Sequence, residues 1–156
     1  AKQLEEVQVF GIFRLYRVKE NVLDGDNTLP QSGTNRDFCY SSGYEYWGKM
    51  ESDGNVLSSG KKETVLRSNK KKIKRDATYD MIVHYEVIQA KEDNAAVFRI
   101  RNAQDEIIAE QEMPKDATEI RIRDVSVTQS MEWIRYRINS QKGSKIRIKS
   151  IETVAQ

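Results

Sequence analysis

The sequence predicts an all-β fold, an antiparallel β-sandwich of jelly-roll type with about nine or ten strands. Apolar and polar residues alternate over many short segments, and turn residues separate these segments at short intervals. There are only two prolines, and no long stretch repeats its apolar residues with a helical period. A chain of 156 residues fits one domain. We place that domain at residues 9–156, after a lead-in segment at residues 1–8.

The N-terminal part predicts one strand and one long loop. Residues 1–8 favour helix, but Leu4 and Val7 are too few apolar anchors for so short a helix to be stable without packing. Residues 9–18 are apolar on both strand faces, which is typical of a central strand. Residues 21–36 are rich in Gly, Pro, Asp, Asn and Ser, which predicts a loop.

An aromatic stretch follows at residues 38–48. It holds five of the thirteen aromatic residues and the single cysteine, Cys39. We expect residues 38–42 to form a core strand, and residues 43–48 to be the half that binds a ligand. Strand alternation separates four residues of that half into two pairs on opposite faces, Tyr44 with Tyr46 and Glu45 with Trp47.

The rest of the chain alternates short predicted strands with turns. Asp53 and Gly54 predict a hairpin turn. The clearest strand covers residues 79–87, where every second residue is apolar or aromatic. Shorter strands are predicted at residues 62–66, 97–101 and 107–112.

The C-terminal part contains one irregularity and one predicted hairpin. The apolar positions change parity near Asp124, which indicates either a β-bulge or the end of a strand. Residues 132–139 and 146–154 both alternate, and the turn residues between them predict a closing hairpin.

Composition narrows the class of protein. The 26 basic and 24 acidic residues nearly balance, which argues against a globally basic nucleic-acid-binding protein. One cysteine excludes a disulfide-stapled scaffold. No apolar run is long enough for a spanning helix, and we see no signal peptide in this segment. We expect a segment of a longer bacterial protein, located either in the cytoplasm or at the cell surface.

The residue types argue against catalysis. The chain has one histidine, His84, and one cysteine, so a Cys-His pair would need both. It has no Gly-x-Ser-x-Gly elbow, no phosphate-binding glycine loop and no His-Glu-x-x-His motif. We interpret His84 as a strand residue and Cys39 as a small buried apolar residue. The isolated domain is therefore predicted not to be an enzyme.

One loop offers oxygen ligands for a cation. Asp24, Asp26 and Asn27 lie within four residues, and calcium binds carboxylate and amide oxygens. The segment resembles the opening of an EF-hand loop without its later glutamate, and an ordinary Asx turn explains it equally well. A structural calcium is the only cofactor that the sequence suggests.

Residues 61–75 form a basic segment. Glu63 is its only acid, against eight basic residues: Lys61, Lys62, Arg67, Lys70, Lys71, Lys72, Lys74 and Arg75. Such clustering attracts polyanions such as nucleic acid, acidic glycans or anionic lipid. The residues assigned to this role are Lys70, Lys71, Lys72, Lys74 and Arg75. The alternative is a solvated hairpin that protects a sheet edge from aggregation.

Further basic residues alternate along the later strands: Arg121, Arg123, Arg135, Arg137, Arg147 and Lys149. If their strands were neighbours in one sheet, these residues would share a face with Trp133. Such a face suits a sugar polymer, because rings stack on aromatic side chains and arginine binds hydroxyl and acidic groups. The alternative is the ordinary polar face of an antiparallel sheet. The predicted ligand-binding residues are Tyr44, Glu45, Tyr46, Trp47, Trp133 and Arg135.

The chain resembles the jelly-roll carbohydrate-binding modules that accompany bacterial glycan-processing enzymes and cell-surface glycan assembly proteins. The strand rhythm carries the resemblance, together with the segments YDMIVHYEV at residues 79–87 and GSKIRIKSIE at residues 143–152. The resemblance implies a non-catalytic glycan-binding module, with aromatic residues on a concave sheet and a calcium at a loop edge. Tyr46, Trp47 and Asp26 are candidate matches. The high charge departs from the usual binders of neutral glycans.

Two other functions remain open from the sequence. A structural or assembly domain would bury the same aromatic and arginine residues against another subunit or a neighbouring domain. A polyanion-binding domain would use the basic segment and lose affinity as salt rises.

Overall fold

The computed structural model describes residues 4–10, 13–18, 29–39, 44–46, 49–51, 53–72, 76–128 and 131–156. For residues 4–10, 13–18, 44–46 and 49–50 the description covers the backbone. These ranges contain 14 strands, of which ten have five residues or more. In the described part of the chain there is no helix of the length and apolarity needed to cross a bilayer.

The strands in chain order are β1 (Leu4–Phe10), β2 (Phe13–Val18), β3 (Thr34–Phe38), β4 (Tyr44–Tyr46), β5 (Lys49–Glu51), β6 (Gly54–Ser58), β7 (Val65–Ser68), β8 (Lys71–Lys72), β9 (Ala77–Gln89), β10 (Asn94–Asn102), β11 (Ile107–Pro114), β12 (Glu119–Val127), β13 (Trp133–Ser140) and β14 (Lys145–Ala155). Sheet I has the order β11-β10-β13-β7-β4, and β8 also pairs with β13. Sheet II has the order β12-β9-β14-β6-β5, and β3 also pairs with β14. All these pairings are antiparallel, so the predicted fold class, an all-β sandwich, is confirmed.

The chain passes repeatedly from one sheet to the other. It changes sheet between β9 and β10, between β11 and β12, and again at each of the last two connections. The predicted closing hairpin is therefore wrong, because β13 belongs to sheet I and β14 to sheet II. Both strands alternate as predicted, but alternation reports which side of a strand is buried and not which strand lies next to it.

The core lies between the two sheets. Its largest fully buried side chains are Tyr85, Tyr136, Phe98, Leu57, Leu66, Met81, Ile100, Met113, Ile134, Ile138, Ile146 and Ile148. The rings of Phe98 and Tyr136 lie 5.9 Å apart in a tilted arrangement that suits aromatic pairs. Tyr136 also crosses the sandwich, since its hydroxyl lies 2.7 Å from Thr153 Oγ1 on β14. Burial raises the pKa of the Tyr136 hydroxyl, which therefore stays neutral.

The N-terminal strands differ from the prediction. The single central strand expected at residues 9–18 is two strands, β1 and β2, which pair with each other as a separate antiparallel ribbon. The strand β1 also covers most of residues 1–8, where a lead-in segment was predicted. An apolar pattern on both faces does not distinguish one buried strand from two strands of a ribbon.

Several local features are confirmed. The strand predicted at residues 79–87 lies within β9. The irregularity near Asp124 is a β-bulge: the register with β9 shifts between Ile122 and Val125, and Asp124 has a φ of 56°. The predicted hairpin turn joins β5 to β6. Gly54, with a φ of 145°, is required there because a Cβ atom would clash with the carbonyl oxygen of Ile148.

The first half of the aromatic stretch is only partly core. Cys39 is fully buried, but Phe38 closes β3 with 43% of its surface exposed. The structure therefore contradicts a core role for Phe38, and residues 40–43 lie outside the described ranges.

Candidate functional site

The outer face of sheet I brings together most of the strands that carry the predicted glycan-binding residues. Trp133 and Arg135 lie on β13, and Tyr44, Glu45 and Tyr46 form β4. The strand β7 pairs with both β13 and β4. The two groups lie two strands apart, which is about 10 Å across the sheet. They are also offset along the strands, because Glu45 is level with Arg137, four positions from Trp133.

Trp133 is half-buried at the start of β13 and is flanked by cations. The Lys70 ammonium nitrogen lies 4.9 Å from the centre of the indole ring, and the Arg135 guanidinium carbon lies 5.3 Å from it. Both distances are within the range of cation–π attraction. Alternation along β13 buries Ile134 and Tyr136 and leaves Trp133 and Arg135 on the outer face, as predicted.

Five half-buried arginines form two rows across this face, which we call the arginine rows. In the first row, Arg99, Arg137 and Arg67 lie opposite one another on β10, β13 and β7. In the second row, Arg101 and Arg135 lie opposite each other on β10 and β13. Like charges directly opposite each other on neighbouring strands destabilise a sheet. Such an arrangement needs acids or a ligand to offset the repulsion.

Carboxylates meet the rows on the side of β11. Arg99 Nε donates a 2.5 Å hydrogen bond to Glu110 on β11. Arg101 donates to the carbonyl oxygen of Asp105 at 2.7 Å, and the Asp105 carboxylate is 3.3 Å away. Acids therefore neutralise one end of each row.

The middle of the first row is different. Arg137 Nε donates to the amide oxygen of Asn139 at 3.1 Å, and the Asn139 amide donates to Glu63 at 3.0 Å. Among the described residues Arg137 has no carboxylate partner. The described residues thus leave its charge open to water or to a ligand.

The register of β4 separates Glu45 from the two tyrosines. Glu45 lies opposite Arg67, at the far end of the first row. Tyr44 and Tyr46 lie opposite Ser68 and Leu66, which are both buried. Trp47 lies outside the described residues, so its part in a site stays a prediction.

The basic segment at residues 61–75 is not one uniform surface. Lys71 is buried, and its ammonium forms a 2.6 Å ion pair with Asp37 and lies 5.9 Å from the Tyr136 ring. This burial removes Lys71 from the surface set, whereas Lys70 and Lys72 are exposed. Lys74 and Arg75 lie outside the described residues. The segment supplies β7 and β8 to sheet I instead of a simple solvated hairpin.

The six alternating basic residues do not share one face. Arg135 and Arg137 belong to sheet I, whereas Arg121, Arg123, Arg147 and Lys149 belong to β12 and β14 of sheet II. The expected common face is therefore wrong. The cause is the same as for the closing hairpin, since β13 and β14 lie in opposite sheets.

On the outer face of sheet II, Arg147 has carboxylates around it. It contacts Glu51 at 2.8 Å, Asp53 at 3.3 Å and Glu86, which lies opposite it on β9. The hydrogen bonds that Arg147 donates to Glu51 and then to Glu86 raise the pKa of its guanidinium. Arginine and acid here lie directly opposite each other, which favours pairing.

A second cluster on sheet II surrounds Glu152. Arg36, opposite it on β3, donates to its carboxylate at 2.6 Å, and His84 Nε2 lies 3.1 Å away. These two contacts, with Arg36 first, hold the pKa of Glu152 below its ordinary value. The other nitrogen of His84 lies 3.6 Å from Glu119.

The one histidine and the one cysteine have structural environments. His84 is held by Arg36 and by carboxylates on the outer face of sheet II. Cys39 has no accessible surface. This arrangement offers no exposed thiolate beside a base, which nucleophilic catalysis by cysteine needs.

The calcium prediction rests on residues that the structure does not describe. Asp24, Asp26 and Asn27 all lie outside the described ranges, so the cation site stays a prediction. Within those ranges, no group of three or more His, Cys, Asp or Glu side chains is placed to hold a metal ion.

The arginine rows are the feature that sequence reasoning missed. Arg67 was grouped with the basic segment, and Arg99 and Arg101 were not singled out. The alternation of β10 marks Arg99 and Arg101 as outward-facing, but only the pairing of β7, β10 and β13 aligns them with Arg137.

Comparison with known proteins supports the fold. No protein-family model matches the sequence, and curated proteins show no match to it either. Among solved structures, the chain is similar to the C-terminal CBM6 of the marine laminarinase LamC from Zobellia galactanivorans, with 13% identity, a TM-score of 0.50, and coverage of 78% of this chain and 98% of that chain. It is also similar to the low-affinity xylan-binding module CBM86 from Roseburia intestinalis, with 9% identity, a TM-score of 0.51, and coverage of 79% and 96%.

The same fold occurs inside a larger catalytic chain. The enzymatically active domain of tailspike protein 4 from bacteriophage CBA120 matches 81% of this chain with 20% of its own length, at 11% identity and a TM-score of 0.51. The structural neighbours are mostly carbohydrate-binding modules, so the resemblance expected from the sequence is confirmed for the fold. At these identities the likeness concerns the fold alone.

Proposed function

We propose that the chain is a non-catalytic glycan-binding module, part of a larger bacterial protein, that binds through the outer face of sheet I around Trp133 and Arg135. The observation that carries the proposal is Trp133, a half-buried indole on the outer face of a sheet, beside a cluster of arginines. The fold that this chain shares with carbohydrate-binding modules supports the proposal.

Binding on such a face needs no bond to break. An indole presents a flat apolar surface to the C–H groups of a sugar ring. Arginine donors next to it bind hydroxyl and acidic groups in a fixed geometry. Glu45, at the end of the first arginine row, adds an acceptor at the edge of the surface. Trp47 is proposed to extend it beyond β4. Tyr44 and Tyr46 are left out of this surface, because they lie in register with the buried Ser68 and Leu66.

The test is a glycan-binding screen with Trp133→Ala and a matched control. Phe38→Ala removes an aromatic residue from sheet II that is 43% exposed. We expect the parent and Phe38→Ala to bind the same glycans, and Trp133→Ala to bind them at least tenfold more weakly, about 1.4 kcal/mol. A third variant, Trp47→Ala, tests whether Trp47, the residue after β4, also binds the glycan.

Two results would contradict the proposal. One is a parent chain that binds no member of a broad panel of neutral and acidic glycans. The other is a Trp133→Ala variant that melts like the parent and binds as tightly. Sedimentation of the same chain, together with fluorescence quenching, tests the assembly alternative. A stable oligomer in which Trp133 is protected from quenching would favour that alternative.

A further inference from the structure

We infer that the ligand of this face is an acidic polysaccharide, whose carboxylate or sulfate groups bind the arginine rows. The inference rests on the proposed function and narrows its ligand class. Neighbouring strands place the Cα atoms of a row about 5 Å apart, and the two rows about 7 Å apart along the strands. An extended polymer with regularly spaced acidic groups fits such a grid.

The first argument is the energy of the unbound face. Arg137 stands between Arg99 and Arg67, and like charges in that position repel, while Glu110 pairs with Arg99 on its other side. An anion bound between two guanidinium groups converts the repulsion into attraction. A neutral sugar leaves the repulsion in place, so the face favours acidic ligands over neutral ones.

The second argument is the surroundings of Trp133. Lys70 and Arg135 are both within 5.3 Å of the ring centre. A neutral sugar that stacks on this ring competes with its cations for the indole surface. An acidic sugar also binds these cations, because Lys70 and Arg135 can form charge-assisted hydrogen bonds with its acid group.

The third argument separates a polysaccharide from a nucleic acid. Glu110 meets the first row at one end, and Glu45 lies at its other end in the register of the sheet. The net charge of the whole chain is +2. Nucleic-acid binding depends on a strong long-range positive field, which these acids weaken. A mixed surface of arginine and carboxylate suits a ligand that carries both acid groups and hydroxyls.

The experiment uses the 156-residue chain and polymers that differ in charge. Polygalacturonate is the carboxylate probe, fully methyl-esterified pectin is its neutral match, and heparin is the sulfate probe. A single-stranded DNA oligonucleotide of equal charge is the fourth probe. Titration calorimetry measures binding to the parent, to Arg137→Gln and to the control Arg121→Gln, which changes an arginine of sheet II.

We expect polygalacturonate or heparin to bind at least tenfold more tightly than methyl-esterified pectin. Arg137→Gln should weaken that binding about tenfold and flatten its dependence on salt, because fewer counterions are released. Arg121→Gln should change neither the affinity nor its dependence on salt. Thermal melting of each variant shows that the loss is not a loss of folding.

Four outcomes overturn the inference. If methyl-esterified pectin binds as tightly as polygalacturonate and binding depends on Trp133, the glycan-binding proposal stands and acid selectivity fails. If no glycan binds at all, both fail. If the oligonucleotide binds more tightly than either acidic polysaccharide, the face is a nucleic-acid surface. Equal binding by the parent and Arg137→Gln also removes the arginine rows from the site.

Discussion

The outer faces of the two sheets use the same residue types in opposite ways. On sheet II, arginines in register with an acid form ion pairs with it, as Arg147 does with Glu86 and Arg36 with Glu152. On sheet I, Arg99 lies opposite Glu110 on one side but opposite Arg137 on the other. Since the chain balances its charges overall, the difference lies in which strands are placed side by side.

The outer face of sheet II thus pairs opposite charges within the protein, whereas the outer face of sheet I places like charges side by side. The paired charges of sheet II satisfy one another, so a ligand would have to compete with carboxylates already bound there. On sheet I, Arg137 hydrogen-bonds to the neutral amide of Asn139 and has no carboxylate partner among the described residues. A surface that is unfavourable alone becomes favourable with a ligand of opposite charge.

The largest expected effect concerns a basic residue of sheet I that is not on its outer face. Lys71→Ala leaves the Asp37 carboxylate without its buried partner, and we expect a loss of about 3 kcal/mol in the free energy of unfolding. Lys72→Ala, at the exposed neighbouring position, should cost less than about 0.5 kcal/mol. Urea denaturation measures both. Equal losses would mean that the ion pair does not hold β8 to β3.

The next prediction compares the two faces directly. Arg147→Ala removes a shared partner from three carboxylates, which then repel one another, so the urea midpoint should fall. Arg137→Ala removes one of three neighbouring like charges and should leave the midpoint unchanged or raise it. Denaturation at low salt measures the contrast, and a larger loss for Arg137→Ala would reverse it.

A third prediction uses acid. Because the pKa of Glu152 is held below its ordinary value of 4.5 in the folded state, its contribution to stability is present above pH 4.5. That contribution is lost as the pH falls through the lowered value. Arg36→Gln removes the main cause, so stability should fall less steeply below pH 4.5 than in the parent. Arg123→Gln, on the edge strand β12, should follow the parent curve.

The smallest expected effect is a gain. Arg137→Glu places an acid between Arg99 and Arg67 and should stabilise the unbound chain by roughly 0.2–1 kcal/mol at low salt. At about 1 M salt, where the screening length is about 3 Å, the gain should disappear. The same variant should lose binding to polygalacturonate. A destabilised variant would show that the rows do not repel in the folded protein.

Features set by neighbouring residues could be predicted from the sequence. The alternation of β9, the Asp-Gly turn before β6 and the parity change at Asp124 all follow from residues within a few positions of one another. The placement of Trp133 and Arg135 on an outer face follows from the same rule, because alternation along β13 decides it.

Features that depend on distant pairing could not be predicted. Nothing near Lys71 in the sequence indicates that its ammonium will form a buried ion pair with Asp37 on another strand. Nothing near Arg137 indicates that Arg99 and Arg67 will flank it, since they are 38 and 70 positions earlier in the chain. Register between strands is set by the whole sandwich, and a candidate site built from several strands needs the fold first.

The melting temperature of the chain should show whether a ligand occupies the arginine rows. Any ligand that binds the folded chain but not the unfolded chain raises the melting temperature by mass action. A ligand that neutralises the arginine rows also removes the repulsion between them. A fluorescence melting screen in dilute buffer therefore ranks anions without a label or an enzyme assay. The same compounds, offered to the Arg137→Glu variant, provide the blank.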